Sequence, residues 1–164
     1  MKVLAISAAL ALWTTAVNAD DLYKVDAQLT VSGNKVGAFT TELPAGAFSK
    51  FENTQHRPYT ASLAVKDNKV TEKVEKDLAT GFTLTSTAIT TTDGKVLFTY
   101  AMDYSRLIKM TRKPVAGTNE FIDLPETWEI GHSGSVLFTD GVPVTQSGGN
   151  STDQWELKMT VTKI

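Results

Sequence analysis

Apolar and polar residues alternate along most of this chain in short runs, and Gly, Asp, Asn and Pro stand between the runs. A period of two is the pattern of a strand with one buried face. Leu22 to Val31 places Tyr23, Val25, Ala27, Leu29 and Val31 on one side and Lys24, Asp26, Gln28 and Thr30 on the other. Ser32-Gly33-Asn34-Lys35 predicts a turn, and Val36 to Leu43 returns with Phe39, Thr41 and Leu43 on one parity. From Ala47 to Pro58 the alternation is lost, which predicts a long connection between sheets. Tyr59, Ala61, Leu63 and Val65 alternate again ahead of an Asp67-Asn68 turn signal. Val70, Val74 and Leu78 then recur every fourth residue. That spacing suits a short helix capped by Gly81 or an edge strand, and the intervening lysines favour the edge strand because they guard an open side.

The densest β pattern is Gly81 to Tyr104, a hairpin of β-branched and aromatic residues about Asp93-Gly94. A two-residue type I′ turn there pairs Ile89 with Phe98, Thr87 with Tyr100 and Thr85 with Met102. In that register Val96, Phe98, Tyr100, Met102 and Ile89 share one face, while Phe82, Leu84, Ala88, Leu97 and Ala101 share the other. A ribbon apolar on both sides needs cover on both.

Beyond it, Ser105 to Lys113 and Trp128-Glu129-Ile130 read as strands around a loop at Pro114 to Asn119. Gly131-His132-Ser133-Gly134-Ser135 reads as a turn. Ser135 to Thr139 and Val142 to Thr145 flank a second Asp-Gly corner, Asp140-Gly141, and Ser147 to Ser151 reads as a flexible loop. Gln154 to Lys163 alternates most cleanly, with Trp155, Leu157, Met159 and Val161 facing in. Repeated short strands with frequent turns predict an all-β fold, an antiparallel sandwich or a partly open barrel.

Composition narrows the setting. The 164 residues are 41% hydrophobic and 21% charged, ordinary for one globular domain. The net charge of −2 carries no excess of basic residues that would point to nucleic acid or to anionic lipid. Cysteine is absent, which removes disulfides, thiolate metal sites and cysteine nucleophiles together. Met1-Lys2, an apolar run from Val3 to Trp13 and the small-residue motif Val17-Asn18-Ala19 predict a cleaved signal peptide over residues 1–19. The apolar run is too short for a membrane anchor. The expectation is a single all-β domain over 20–164, exported to the periplasm or the cell surface, with no stable membrane span.

Candidate chemistry is sparse. There are two histidines, His56 and His132, and no local ligand spacing suits zinc. Neither a metal nor a cofactor is expected. Gly131 to Ser135 resembles a nucleophile elbow, but Ser135 stands where the motif needs Gly and a strand, not a helix, follows. A hydrolase using His132 and Ser133 is therefore the alternative rather than the leading reading. Phe48, Phe51, His56 and Tyr59 crowd the segment after Ala47, a candidate partner or ligand surface that a sandwich also uses to plug an open end. Asn150-Ser151-Thr152 is a glycosylation sequon.

The pattern of Gly81, Leu84, Ile89, Asp93-Gly94, Val96, Leu97, Tyr100 and Ser105 resembles the bacterial secretin domain of type II and type III secretion systems. Ser135 to Val144, with Gly148-Gly149, resembles that family's later strand, Asp-Gly turn, strand and glycine pair. Two departures stand out. Ala88 occupies the place of the family's proline, and Thr145 to Ser147 displace the glycine pair. The length leaves no room for the ring-building domains that secretins carry upstream. The resemblance implies a small stand-alone exported protein with a secretin-like β-fold, an accessory of a pilus or secretion apparatus with protein partners in the envelope, self-association included. An adhesin or small-ligand binder is the other non-catalytic reading.

Overall fold

The computed structural model describes residues 21–150 and 153–164; the expected signal peptide and two residues of the sequon lie outside them. Eight strands follow in order: β1 (Leu22–Val31), β2 (Asn34–Pro44), β3 (Ser49–Lys66), β4 (Lys69–Thr90), β5 (Val96–Pro114), β6 (Phe121–Phe138), β7 (Val144–Gly149) and β8 (Gln154–Lys163). They form two four-stranded antiparallel sheets, β2-β1-β8-β7 and β3-β4-β5-β6. The expected antiparallel sandwich is what the chain builds.

The core lies where the two sheets overlap. Tyr23, Val25, Leu29 and Val31 of β1, with Trp155, Leu157, Met159 and Val161 of β8, are buried against Phe82, Leu84 and Ala88 of β4 and Val96, Phe98, Tyr100 and Met102 of β5. Phe138 closes one end, edge-on to Phe98 at 5.9 Å. At Gly37 the absent side chain is the fit itself, since a Cβ there would stand 2.6 Å from Phe82 Cδ1. Alternation was legible in β1 and β8 because one face of their sheet meets the core and the other meets water.

The central hairpin corrects the expected register. Thr87 pairs with Thr99, Ala88 with Phe98 and Ile89 with Leu97. The turn is a type I turn closed by Gly94 N–H to Thr91 O (2.9 Å), with a Thr91 N–H to Lys95 O bond (2.8 Å) just outside it. Gly94 is left-handed (φ 78°) and Asp93 is not. This three-residue loop with a glycine bulge shifts the partner by one from the two-residue I′ form. A one-residue slip moves a side chain across the sheet. Phe82, Leu84 and Ala88 therefore join Val96, Phe98, Tyr100 and Met102 on the buried face, and Ile89, Leu97 and Ala101 lie half-exposed on the other. The ribbon needs cover on one side only. Two-residue turns with both central φ positive do occur, at Ser32-Gly33 (48°, 77°) and Asp67-Asn68 (52°, 57°).

Three predicted breaks are strand. Ser49 to Pro58 begins β3 instead of crossing between sheets, because β4 is long enough to give its backbone partners from Ser49 to Lys66. Gly131 to Ser135 runs through the middle of β6. Ser147-Gly148-Gly149 ends β7, and Gly148 is there because the Trp155 ring occupies the space of its Cβ, 2.8 Å away. Val70 to Leu78 is strand, part of a single β4 that continues through Gly81.

A polar clamp ties the sheets at the end that Asp21 begins. Lys163 Nζ is 2.6 Å from Asp21 Oδ1, Thr90 Oγ1 donates to Asp21 Oδ2, and the Tyr23 hydroxyl bonds Thr90. These partners, the Lys163 and Thr90 hydrogen bonds foremost, hold the Asp21 carboxyl below its ordinary 3.8. A depressed carboxylate adds stability above its unfolded value and loses it as pH falls through the folded one. Urea midpoints of Asp21→Asn should therefore lie below those of the parent at neutral pH and converge with them in acid below about pH 4. A gap that stays constant down to pH 2 would remove Asp21 from the clamp.

The second sheet outruns the first. Pairing of β4 with β5 runs from Thr90/Val96 to Gly81/Ser105 and stops. The ladders β3–β4 and β5–β6 continue to Lys66/Lys69 and Pro114/Phe121. Two hairpin arms therefore leave the sandwich, the longer extending ~40 Å at the usual rise per residue. Two-stranded ribbons twist more strongly than wide sheets, and here the twist brings the outer strands together: Thr60 N–H of β3 donates to Asp123 Oδ2 of β6 at 3.4 Å. No described residue in either arm is fully buried.

Candidate interaction surface

The sandwich fixes the base of each arm. At the fork Gly81 adopts φ 133°, and a Cβ there would fall on the Asn53 carbonyl oxygen. Ser105 Oγ donates to Ala79 O at 3.1 Å across the opening. Arg106, the first residue of the β5–β6 arm, lies over the Trp128 ring at 4.8 Å and pairs with Asp153 at 3.0 Å, tying the arm back to the other sheet. In the β5–β6 arm the charges are sorted by strand: Arg106, Lys109, Arg112 and Lys113 on β5, Asp123, Glu126 and Glu129 on β6. Lys109 stands opposite Glu126, and Arg112 Nε is 3.2 Å from Asp123 Oδ1. Such cross-strand pairs hold the two strands in register.

The apolar residues of the arms are incompletely covered. Ile108, Phe121, Leu124, Val65 and Val70 are 37–54% exposed. Tyr59, Leu63, Val74, Leu78, Leu107, Met110, Ile122 and Trp128 are half-buried. The outer strands β3 and β6 are each bonded on one side only. Bare strand edges are pairing templates, and proteins that keep long ones commonly use them.

The four residues predicted as a surface are strung along one strand, not gathered in a loop. Phe48 is 69% exposed just before β3. Phe51 turns inward, stacked on Phe39 at 4.4 Å and tilted against Phe82 at 6.0 Å. His56 is on the opposite face, paired with Asp77 and bonded to Thr54. Tyr59 is half-buried within the arm. Phe48 and Tyr59 are ~36 Å apart along the strand. The open edge of β3 joins them, and neither that edge nor the arms can be seen in the sequence pattern alone. The nearest signal is the lysine-rich spacing of 66–76 beside the Asp67-Asn68 turn.

His132 and Ser133 do not form a dyad. His132 faces inward between Tyr100 (ring centroids 5.8 Å apart) and Trp155 (4.9 Å). Adjacent strand residues point to opposite faces, and Ser133 lines a shallow depression with Phe48, Thr85, Thr99 and Ala101 on the outside. Beside His132, the Tyr100 hydroxyl is buried without a hydrogen-bond partner, and burial pushes its phenol above the ordinary range. Among the described residues no three His, Cys, Asp or Glu side chains gather as metal ligands. Among them also, no helix is long and apolar enough to cross a membrane.

No described protein family matches the sequence, and no curated protein does. Solved structures do. The chain is similar to the secretin InvG of the Salmonella SPI-1 type III secretion injectisome, solved at near-atomic resolution, over 88% of this chain and 62% of that one, with 10% identity and a TM-score of 0.46. A second match is the InvG secretin-domain β-barrel of the same injectisome, at 12% identity, TM-score 0.47, 88% of this chain and 60% of that one. A third, an atomic model of the basal-body proteins InvG, PrgH and PrgK, matches at 10% identity and a TM-score of 0.46 over 88% and 44%. The likeness is weak and secretin-like. The chain spans about three fifths or less of the length of the chains it matches.

Proposed function

We propose that this chain is an exported, non-enzymatic protein of the bacterial envelope that works by binding other proteins, as an assembly or binding accessory of a pilus or secretion apparatus. One observation carries the reading: two hairpin arms run far past the sandwich that stabilises them, and beside the sandwich the sheet they leave keeps an open strand at each edge, β3 and β6. A chain that needed only to be stable gains little from arms with no fully buried residue. Open edges and half-covered apolar side chains gain by pairing with another chain. The edge of β3 carries Phe48 and Phe51 at its start and His56 and Tyr59 further on, with Phe51 anchoring the strand on Phe39. A second copy is one such partner, since beside the sandwich β6 of one molecule and β3 of the next offer antiparallel edges to each other.

Photo-crosslinking amino acids at Gln55 on β3 and Leu137 on β6 test this in living cells. Both positions are exposed. The expected result is discrete adducts with envelope proteins or with a second copy at both edges. Gentle extraction as a partner-free monomer, without adducts at either position, would contradict it.

A further inference from the structure

The ends of the two arms are built from unlike sequences, yet they meet. Gly117 of the second turn is held against Asn68 of the first, whose Oδ1 occupies the space of a Gly117 Cβ. Asn68, Val70, Gly117, Thr118, Asn119 and Glu120 line one shallow depression between them. The joined tip differs in charge from the rest of the molecule. Residues 65–70 and 112–123 contain four basic side chains (Lys66, Lys69, Arg112, Lys113) and three acidic ones (Asp67, Glu120 and Asp123, the last paired with Arg112), a net of +1 on a chain whose net is −2.

Two features of the tip are unfavourable for an isolated molecule. Lys66 stands directly opposite Lys69 in the ladder, and like charges so placed repel. Among the described residues none of Lys66, Lys69 and Lys113 has a carboxylate at ion-pair distance. Beside these lysines, Val65 and Val70 are each 37% exposed and Phe121 is 42% exposed, with the Arg112 guanidinium 5.4 Å over the Phe121 ring. An anionic lipid surface satisfies both at once. Phosphate headgroups neutralise the opposed lysines, and the acyl boundary accepts the valines and the phenylalanine.

We propose that the joined arm tips dock on an anionic phospholipid surface, as a peripheral attachment that places the open strand edges at a fixed height above the bilayer. The inference stands on the tip alone and does not depend on the identity of any protein partner.

The test uses the mature chain with phosphatidylcholine vesicles and with mixed phosphatidylcholine–phosphatidylglycerol vesicles, by flotation at low and high salt. The chain has no cysteine, so Ala116→Cys gives a single attachment point for an environment-sensitive dye at the tip. The expected result is flotation with the anionic vesicles only, weakened by salt, and a blue shift of the dye on binding. K66E/K69E/K113E should weaken binding by more than about 100-fold, at roughly fivefold or more per lysine. These side chains are exposed and lie outside the core, so the variant should keep the parent's β spectrum. Failure of the parent chain to float, equal flotation with both lipids, undiminished binding by the triple variant, or an unshifted dye would each overturn the proposal. So would lipid-independent capture of an envelope protein abolished by the same three substitutions, which would assign the patch to a protein.

Discussion

Phe82→Ala should cost about 3–5 kcal/mol, the range for emptying a fully buried aromatic site. Phe82 is fully buried and packs in the space that Gly37 leaves, with Phe51 tilted against it. It is also the last core residue before the fork, so its ring supports both the sandwich and the base of the longer arm. Small domains hold roughly 5–15 kcal/mol in total, so the variant should be near its unfolding threshold. Ile108→Ala, at a side chain 54% exposed in the other arm, should change stability by no more than about 0.5 kcal/mol. Urea titrations with unchanged slopes measure both. Comparable losses for the two would mean that the arms belong to the core, against the burial seen here.

Gly81→Ala should cost at least about 2 kcal/mol through a different mechanism. At φ 133° Gly81 is in a region where a side chain is strained by ~1–3 kcal/mol, and its Cβ would meet the Asn53 carbonyl oxygen, which has no freedom to move away. Gly94→Ala is the control, also at positive φ (78°) but with open space around it. It should lose only about 1 kcal/mol. The Gly81 variant should also loosen the fork, seen as faster amide exchange at Asn53 and Thr54. Equal destabilisation by the two, with exchange at the fork unaltered, would show that the close approach to β3 carries no energy.

The sandwich was legible where one face of a strand meets the core and the other meets water. β1 and β8 satisfy that condition and were read residue by residue. The central hairpin was recognised, but its register was not. Asp-Gly serves both a two-residue I′ turn and a type I turn with a glycine bulge, and nothing local decides between them. The arms were hidden for a different reason. The alternation of Tyr59, Ala61, Leu63 and Val65 marks a strand in the β3–β4 arm, but nothing in the pattern shows that β3–β4 and β5–β6 continue as separate ribbons past Gly81 and Ser105. Glycine misled twice: in β6, where Gly134 faces the Tyr100 ring, and in β7, where Gly148 makes room for Trp155. At Gly148 glycine accommodates the Trp155 ring inside a strand, whereas a Cβ at Gly134 would meet the Tyr100 side chain only at ordinary contact distance, 3.7 Å or more; sequence separates neither from a turn glycine. The aromatic cluster after Ala47 is visible in the sequence as residues but not as geometry. Only the length of β4 makes Phe48 to Tyr59 an edge.

In the proposed function the open strand edges await a second chain, and hydrogen exchange reads that state directly. The mature chain alone, compared with the same chain gently extracted with its envelope partners, should show slowed exchange of the outward-pointing amides of β3 between Ser49 and Arg57 and of β6 between Gly131 and Phe138, with the sandwich core unchanged. Identical exchange at those edges in the two samples would contradict it.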